Sequence, residues 1–243
     1  KLREIRSAGS APSLAWMSDP NWLVVSQTLA DPVTNALFLV STTSGEEFQI
    51  THPKPERSVG DLNPAVSPDG KRIAFARSTS SAWSDIFVAE FSPDRRHISE
   101  PARLTDAHTI IDHLAWLPDG TAILFSAATT TAGARHLFRT SSTPTAGYEV
   151  TELGIEGDHP SVAGSPWKLA FVRKNIEQSS VWRLDLADGL EKPRQSRMLS
   201  STRRDYTTDL SPDGVHIVFS SVRSGPTEIW MSRTDGSNLK RLT

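Results

Sequence analysis

The stretch NPAVSPDGKRIAFARS, residues 63–78, places a Ser-Pro-Asp-Gly turn between two short apolar runs. Proline presets the backbone angle of its own position, aspartate hydrogen-bonds back to the backbone, and glycine accepts a positive φ. Flanked by strand-forming residues, such a turn is predicted to close a β-hairpin. The pattern recurs as LAWLPDGTAILFSA from Leu114 and as TDLSPDGVHIVFSS from Thr208, and a degraded copy, LAWMSDPNWLVVSQ, begins at Leu14.

The second strand of each copy marks a repeat of nearly constant length. Its marker residues are Val25, Phe75, Phe125, Phe171 and Phe219, which are 50, 50, 46 and 48 residues apart. A third strand follows in each copy (ALFLV, DIFVA, HLFRT, SVWRL, EIWMS), and then a closing run (FQIT, ARLT, YEVT, RMLS, KRLT). Apolar and polar residues alternate with period two, as strands require, and no stretch has the pattern of a three-turn helix.

These repeats predict an all-β fold, a β-propeller of four-stranded antiparallel blades. A sandwich or an up-and-down barrel is the alternative, but neither needs every fourth strand to look alike. We place the repeats at about residues 7–51, 61–105, 111–151, 157–200 and 204–243 of a single propeller domain or fragment. Residues 2–5, LREI, look like an orphan outer strand. Five repeats and an orphan strand predict part of a larger ring, whose exposed terminal blades would favour self-association.

Composition narrows the classes of function. The formal net charge is −2 over 243 residues, so no basic surplus favours direct contact with nucleic acid. No apolar run reaches the roughly 18 residues of a spanning helix, which predicts no membrane span in this chain. Cysteine is absent, which excludes disulfides and thiol catalysis. A chain without disulfides is compatible with a periplasmic or a cytoplasmic location.

The sequence pattern of these repeats resembles the TolB-like propeller repeat, a relative of the WD repeat. Five copies cover nearly the whole chain, and SPDGVHIVFSSVRSGPTEIWMSRTDGSNLKRLT, residues 211–243, follows the pattern most fully. The fourth copy has AGSPWKLAF in place of the turn, and the first has Ser18-Asp19-Pro20-Asn21. The sequence pattern is also similar to that of the C-terminal propeller region of bacterial CadC-like winged-helix transcriptional regulators and serine/threonine kinases. That resemblance implies a sensor or protein-interaction module.

No motif of catalysis occurs in the sequence. A nucleophile elbow needs Gly-x-Ser-x-Gly, and the chain has no such run, so we predict that it is not an enzyme and uses no cofactor. The resemblance leaves two further roles open. One is a TolB-like periplasmic scaffold, and the other is the substrate-gating propeller of a prolyl-oligopeptidase-like peptidase.

A column of polar residues just before the first strands is the candidate binding site. First strands line the central channel of a propeller, so the column is expected to ring one mouth of it and to bind a protein, peptide or small molecule. Two histidines and two aspartates there could hold a transition metal or Ca²⁺, but their spacing carries no ligand signature, and we favour a polar mouth without metal. The column consists of Asn63, Asp112, His113, Asp158, His159 and Thr207.

Aromatic and basic residues outside this column have simpler interpretations. Trp16 and Trp116, on first strands, are expected to pack between blades, while Trp83 is expected on a loop where it could contact a partner. The basic runs PDRRH (93–97) and STRRD (201–205) are interpreted as solvated loop charge rather than as phosphate or nucleic-acid contacts.

Overall fold

The computed structural model describes a chain built from β-strands. It describes residues 13–30, 33–54, 60–80, 83–107, 109–128, 134–145, 147–174, 179–185, 194–199, 201 and 203–243. Helices are absent from these residues, which confirms the all-β prediction. In the same residues there is accordingly no helix of the length and apolarity that crossing a membrane would need. The predicted orphan strand LREI (2–5) lies outside the described residues.

Each repeat contributes four strands, which we number in chain order and group as blades 1 to 5. Blade 1 holds β1 to β4, at Leu14–Trp16, Trp22–Ala30, Val33–Ser41 and Glu47–Gln49. Blade 2 holds β5 to β8, at Gly60–Val66, Arg72–Ser80, Trp83–Glu90 and Ala102–Arg103. Blade 3 holds β9 to β12, at Ile110–Trp116, Ala122–Ala128, His136–Ser141 and Val150–Glu156. Blade 4 holds β13 to β16, at Asp158–Ala163, Lys168–Lys174, Ser179–Asp185 and Arg194–Leu199. Blade 5 holds β17 to β20, at Asp205–Leu210, His216–Ser221, Glu228–Arg233 and Lys240–Arg241.

Blades 3, 4 and 5 are separate four-stranded sheets, whereas blades 1 and 2 share one eight-stranded sheet. Among the described residues, the two blades join through one parallel bridge between β3 and β5, at Asn35 and Gly60. Gly60 has φ +125°, and a Cβ there would lie 2.3 Å from the backbone nitrogen of Asn35. Only glycine permits so close an approach of the two backbones. The sequence predicted separate blades and did not indicate this bridge.

The chain forms two compact units. The first consists of Lys1–Ile123, Ala128–Gly133 and Thr140–Val150, and the second of Leu124–Ala127, Ala134–Arg139 and Thr151–Thr243. The marker residues of all five second strands are buried. In the first unit, blades 1 and 2 share a buried cluster that includes Val24, Leu37, Ile73 and Phe75. In the second unit, blades 4 and 5 share a cluster that includes Ala170, Val181, Ile217 and Phe219.

The Ser-Pro-Asp-Gly turn has the predicted geometry. Gly70, Gly120 and Gly214 have φ of 67°, 70° and 65°, which confirms the expected positive values. In blade 2, Ser67 Oγ donates a hydrogen bond to Asp69 Oδ1 (2.5 Å), and the same oxygen accepts one from the Lys71 backbone (3.1 Å). The carboxylate thus holds both sides of the turn, which is why this short motif recurs at the same place in the repeat.

The threonine that closes a repeat also has a structural cause. Thr51, Thr105 and Thr243 each accept a hydrogen bond through Oγ1 from the backbone nitrogen of a third strand, at 2.8, 2.9 and 2.9 Å. The donors are residues of β3, β7 and β19, namely Leu37, Ile86 and Ile229. The side chain therefore satisfies a strand nitrogen beyond the end of the ladder formed by the short fourth strand.

Two of the aromatic predictions need correction. Trp116 is buried, as predicted, and its Nε1 donates to the Ala65 carbonyl across blades 2 and 3 at 2.9 Å. Trp16 is 52% exposed, so it is not the buried residue between blades that the sequence predicted. Trp83 is the first residue of β7 rather than a loop residue, although 44% of its surface is exposed, as a partner contact would need.

Candidate functional site

A β-bulge interrupts the first strand of three blades at the predicted column. The pairing register shifts between Leu62 and Ala65 in blade 2. It shifts in the same way between Asp158 and Ser161 in blade 4 and between Tyr206 and Thr208 in blade 5. A bulge of this kind bends a strand locally and redirects a side chain.

The bulged residues have unusual backbone angles. Asn63, His159 and Thr207 have φ of 52°, 52° and 37°, although none is glycine. A positive φ is uncommon for side chains other than those of asparagine, aspartate and histidine, and for a β-branched residue such as Thr207 it is an outlier. The same position of three repeats therefore carries a polar side chain on a strained backbone.

In the first unit, hydrogen bonds connect the first strands of blades 1, 2 and 3. The backbone nitrogen of Asn63 donates to Ser13 Oγ at 2.8 Å, and its Nδ2 donates to the Ile111 carbonyl at 3.3 Å. Asp112 and His113 follow Ile111 directly and are half-buried. The structure thus brings Asn63, Asp112 and His113 to neighbouring strands, β5 and β9.

In the second unit, the first strands of blades 4 and 5 lie side by side. Thr208 Oγ1 donates to the His159 carbonyl at 3.0 Å, so the bulged residues His159 and Thr207 are neighbours along adjoining strands. The carboxylate of Asp158 is buried, and its Oδ1 accepts hydrogen bonds from Ser126 Oγ (2.8 Å) and from the His159 backbone (2.9 Å). These bonds tie Asp158 to its own unit.

An aspartate next to this pair has a shifted pKa. Ser161 Oγ donates to Asp209 Oδ1 at 2.9 Å. Burial of the carboxyl group raises the pKa of Asp209, although part of the residue's surface remains exposed. The hydrogen bonds from Ser161 and from the Leu210 backbone oppose that rise. The carboxylate therefore belongs to the polar lining of this part of the second unit.

A buried ion pair lies two residues before the bulge in blade 2. The side chain of Asp61 is fully buried, and Arg77 grips it with two hydrogen bonds, from Nε at 2.7 Å and from Nη2 at 3.0 Å. The guanidinium of Arg77 also lies over the rings of Phe75 and Phe87, 5.4 and 5.0 Å from their centroids. A planar guanidinium suits this combination of a bidentate pair and an aromatic stack.

Blade 5 contains the same cluster. Asp205 is fully buried, and Arg223 Nη2 donates to its Oδ1 at 2.9 Å, while Ser221 Oγ donates to that oxygen at 2.6 Å. The guanidinium of Arg223 lies 4.9 and 5.2 Å from the ring centroids of Phe219 and Trp230. We call each set, of an aspartate, an arginine and two rings, an Asp–Arg clamp.

Sequence reasoning did not find the Asp–Arg clamps. The two arginines stand at different places in the repeat, two residues after Phe75 in one blade and four after Phe219 in the other. An aligned column of the repeats therefore does not contain both. The available signal was the aspartate, since Asp61 and Asp205 occupy the same position of the first strand in GDLNP and RDYTT.

The repeated antiparallel blades with bulged first strands define a β-propeller protein. Within that class, the chain belongs to the TolB beta propeller domain family, whose sequence profile matches residues 57–243. An uncharacterized protein of Agrobacterium fabrum is 36% identical over 63 residues, which are 26% of this chain and 20% of that protein.

Solved propellers share the fold. A structure described as a TolB from Agrobacterium tumefaciens matches with a TM-score of 0.74 at 17% identity, covering 96% of this chain and 80% of that one. TolB from Acinetobacter baumannii matches with a TM-score of 0.68 at 20% identity, covering 92% and 52%. A puromycin hydrolase matches with a TM-score of 0.63 at 14% identity, covering 99% and 39%. The chain thus spans about half of the Acinetobacter protein, and at these identities the likeness establishes the fold alone.

Proposed function

We propose that this chain is a non-catalytic recognition propeller, a sensor or protein-interaction module of a bacterial signalling or transcriptional regulator. Its ligand, a protein, peptide or small molecule, binds at residues of the first-strand column. The first unit carries Asn63, Asp112 and His113, and the second unit carries Asp158, His159 and Thr207, as two separate candidate sets.

The observation that carries this proposal is the bulge that recurs in three blades. A positive φ costs on the order of 1–3 kcal/mol for a β-branched residue such as Thr207, whereas Asn63 and His159 tolerate it better. Such conformations concentrate at functional sites. The surrounding turns and closing threonines repeat, whereas the strained position holds a different polar residue in each blade, Asn63, His159 and Thr207. A variable polar position on a repeated frame is the arrangement that recognition of an irregular ligand requires.

Two other roles remain candidates. Membership of the TolB family is compatible with a scaffold that holds other proteins. The propeller fold shared with a puromycin hydrolase is compatible with a module that gates a catalytic domain. The chain itself has no Gly-x-Ser-x-Gly nucleophile, so the gating role needs a catalytic domain in the same protein. The neighbouring coding sequence distinguishes the three roles. A winged helix would support the regulator, a small α/β domain would support the scaffold, and a nucleophile elbow would support the peptidase.

Glycine variants test the column without disturbing its backbone. A peptide-display library would be selected on the whole chain, and enriched peptides would be titrated against Asn63→Gly, His159→Gly and Thr207→Gly. Glycine accepts the positive φ, so each variant removes the side chain and keeps the bulge. We expect at least one variant to weaken binding tenfold or more.

The matched control is Asn238→Gly, because Asn238 has φ 55° but lies near the end of blade 5, outside the column. It should leave the affinity unchanged. Enriched peptides that bind all three column variants as tightly as the parent chain would refute a binding role for the column, and so would a selection that enriches none.

A further inference from the structure

The loop between β7 and β8 repeats the hairpin turn with one substitution. Ser92 Oγ donates to Asp94 Oδ1 at 2.6 Å, and the Arg96 backbone donates to the same oxygen at 3.1 Å. The Arg95 backbone donates to the Ser92 carbonyl at 2.8 Å, as Gly70 does to Ser67 in blade 2. These bonds reproduce the Ser-Pro-Asp-Gly turn, but arginine stands where the other turn has glycine.

Arg95 adopts the backbone angle of that glycine. Its φ is 59°, against 67° at Gly70. For a residue with a Cβ this conformation is strained, and glycine would avoid that strain. The turn therefore does not need arginine, and the side chain of Arg95 calls for a separate explanation.

The side chain of Arg95 lines two cavities of the first unit. Its Nη1 donates to Ser18 Oγ at 3.3 Å. The first cavity, of about 470 Å³, has an apolar wall of Met17, Trp22 and Leu39, and Arg95 and Arg96 line it as well. The second, of about 580 Å³, lies along the blade 2 turn and includes Lys71 and Arg72. Cavities of this size accommodate small organic ligands.

The two arginines of the first cavity lack ion-pair contacts in the part of the chain that the structure describes. The guanidinium of Arg96 lies 4.6 Å from the centroid of Phe48. The ring of Phe48 in turn contacts Trp22, with centroids 6.1 Å apart. Two guanidiniums thus border an aromatic and aliphatic wall. Hydrogen bonds from Ser92 and from the Arg96 backbone lower the pKa of Asp94, and the charge of Arg96 adds to this without an ion-pair contact.

The carboxylates of the same cavity are occupied by their own turns. Asp19 Oδ1 accepts from the backbone and the side-chain nitrogen of Asn21, both at 3.0 Å. Asp94 Oδ1 accepts from Ser92 and from the Arg96 backbone. These two negative charges oppose a doubly charged phosphate more than a singly charged carboxylate. A guanidinium binds a carboxylate through two parallel hydrogen bonds.

We propose that this cavity binds a monocarboxylate with an apolar or aromatic body. Arg95 and Arg96 hold the carboxylate, and Met17, Trp22 and Leu39 contact the body. The positive φ of Arg95 is the cost of placing a guanidinium at this point of the turn. The site is separate from the first-strand column, and it revises the interpretation of PDRRH as solvated charge.

Calorimetry and saturation-transfer NMR on the whole chain test the site, with phenylacetate and indole-3-acetate as probes. Phenylacetamide, which is uncharged, tests whether binding needs the negative charge. Phenyl phosphate tests whether the site prefers a carboxylate to a phosphate. We expect the carboxylates to bind, with saturation of their ring protons, and the amide to bind at least tenfold more weakly. Absence of binding by both carboxylates, or tighter binding of phenyl phosphate, would overturn the proposal.

Arg95→Gly is the decisive variant, since glycine suits the turn and removes the whole side chain of Arg95, together with its hydrogen bond to Ser18. It should melt at the same temperature as the parent chain or higher, and it should weaken phenylacetate binding at least tenfold. Arg203→Ala, an exposed arginine of the second unit, should bind phenylacetate like the parent chain. Equal affinity of Arg95→Gly and the parent chain would refute the role of Arg95.

Discussion

Blades 2 and 5 contain the same Asp–Arg clamp, but they build it differently. In blade 2 a single arginine, Arg77, makes both hydrogen bonds to Asp61. In blade 5 the position of Arg77 in the repeat is held by Ser221, and Arg223 reaches the carboxylate from two residues further on. The repeat therefore preserves a contact, and not the residue that makes it.

Blade 4 shows what happens where the aspartate is missing. Gly157 stands at its position, and a Cβ there would lie 2.5 Å from Cδ2 of the buried ring of Phe171. The ring thus fills the space that a carboxylate takes in the other two blades. Arg173 is aligned with Arg77, and its guanidinium carbon lies 5.7 Å from the ring centroid of Trp182. Its Nη2 lies 3.9 Å from Oε2 of Glu156, and the side chains of Arg173 and Glu156 are both exposed. Without a buried acid at this position of the repeat, Arg173 remains at the surface.

The largest effect that this comparison predicts is that of removing one arginine. Arg77→Ala leaves the buried carboxylate of Asp61 without its ion-pair partner, which typically costs about 3–5 kcal/mol. Arg223→Ala should cost less, because Ser221 still donates to Asp205. Denaturant unfolding of both variants measures the difference.

The exposed residue Arg203 provides the control for these variants. Surface substitutions of this kind change stability by no more than about 0.5 kcal/mol, and Arg203→Ala should fall in that range. Equal losses in Arg77→Ala and Arg223→Ala would show that Ser221 does not compensate, and the comparison between the two clamps would fail.

The sequence predicted those features that one local motif specifies. The Pro-Asp-Gly turn contains its own acceptor and glycine, so the positive φ of Gly70, Gly120 and Gly214 was predictable from the turn residues alone. The strands and their register followed from the buried marker residues, because alternation and period are visible without the third dimension. The polar column was also visible as an alignment of repeats.

Features that depend on two or more strands were not predictable in this way. The bridge between Asn35 and Gly60 depends on how closely two backbones approach. The positive φ of Thr207 depends on the bulge, and threonine is a residue that local preference would not place there. The Asp–Arg clamps join a first strand to arginines at unequal spacing, so no single aligned position contains them.

A smaller effect is predicted for exchanging the bulged residues of blades 2 and 5. Thr207→Asn should stabilise the chain by about 1 kcal/mol, because asparagine tolerates a positive φ and threonine does not. Asn63→Thr should destabilise it by about 1–2 kcal/mol, since it adds that strain and removes the hydrogen bond to the Ile111 carbonyl. Thermal melts of the two single variants and of the double variant measure these changes in stability. A stabilising Asn63→Thr would mean that the bulge carries no strain.

The smallest effect concerns the two complete turns of the same blades under acid. Hydrogen bonds from Ser67 and the Lys71 backbone lower the pKa of Asp69, and those from Ser211 and the Val215 backbone lower the pKa of Asp213. A carboxyl group whose folded pKa is depressed contributes stability above its unfolded pKa of about 3.9, and that contribution is lost as the pH falls through the folded value. Asp69→Asn and Asp213→Asn should therefore unfold at slightly lower denaturant than the parent chain at pH 7, and the difference should shrink as the pH falls below about 3.9. Blade 4 has no aspartate in its corresponding turn, AGSPWK, so it contributes nothing to this change. Denaturant midpoints of the three proteins between pH 7 and pH 3 measure it, and a difference that stays constant over this range would show that the charge of these carboxylates does not stabilise the turns.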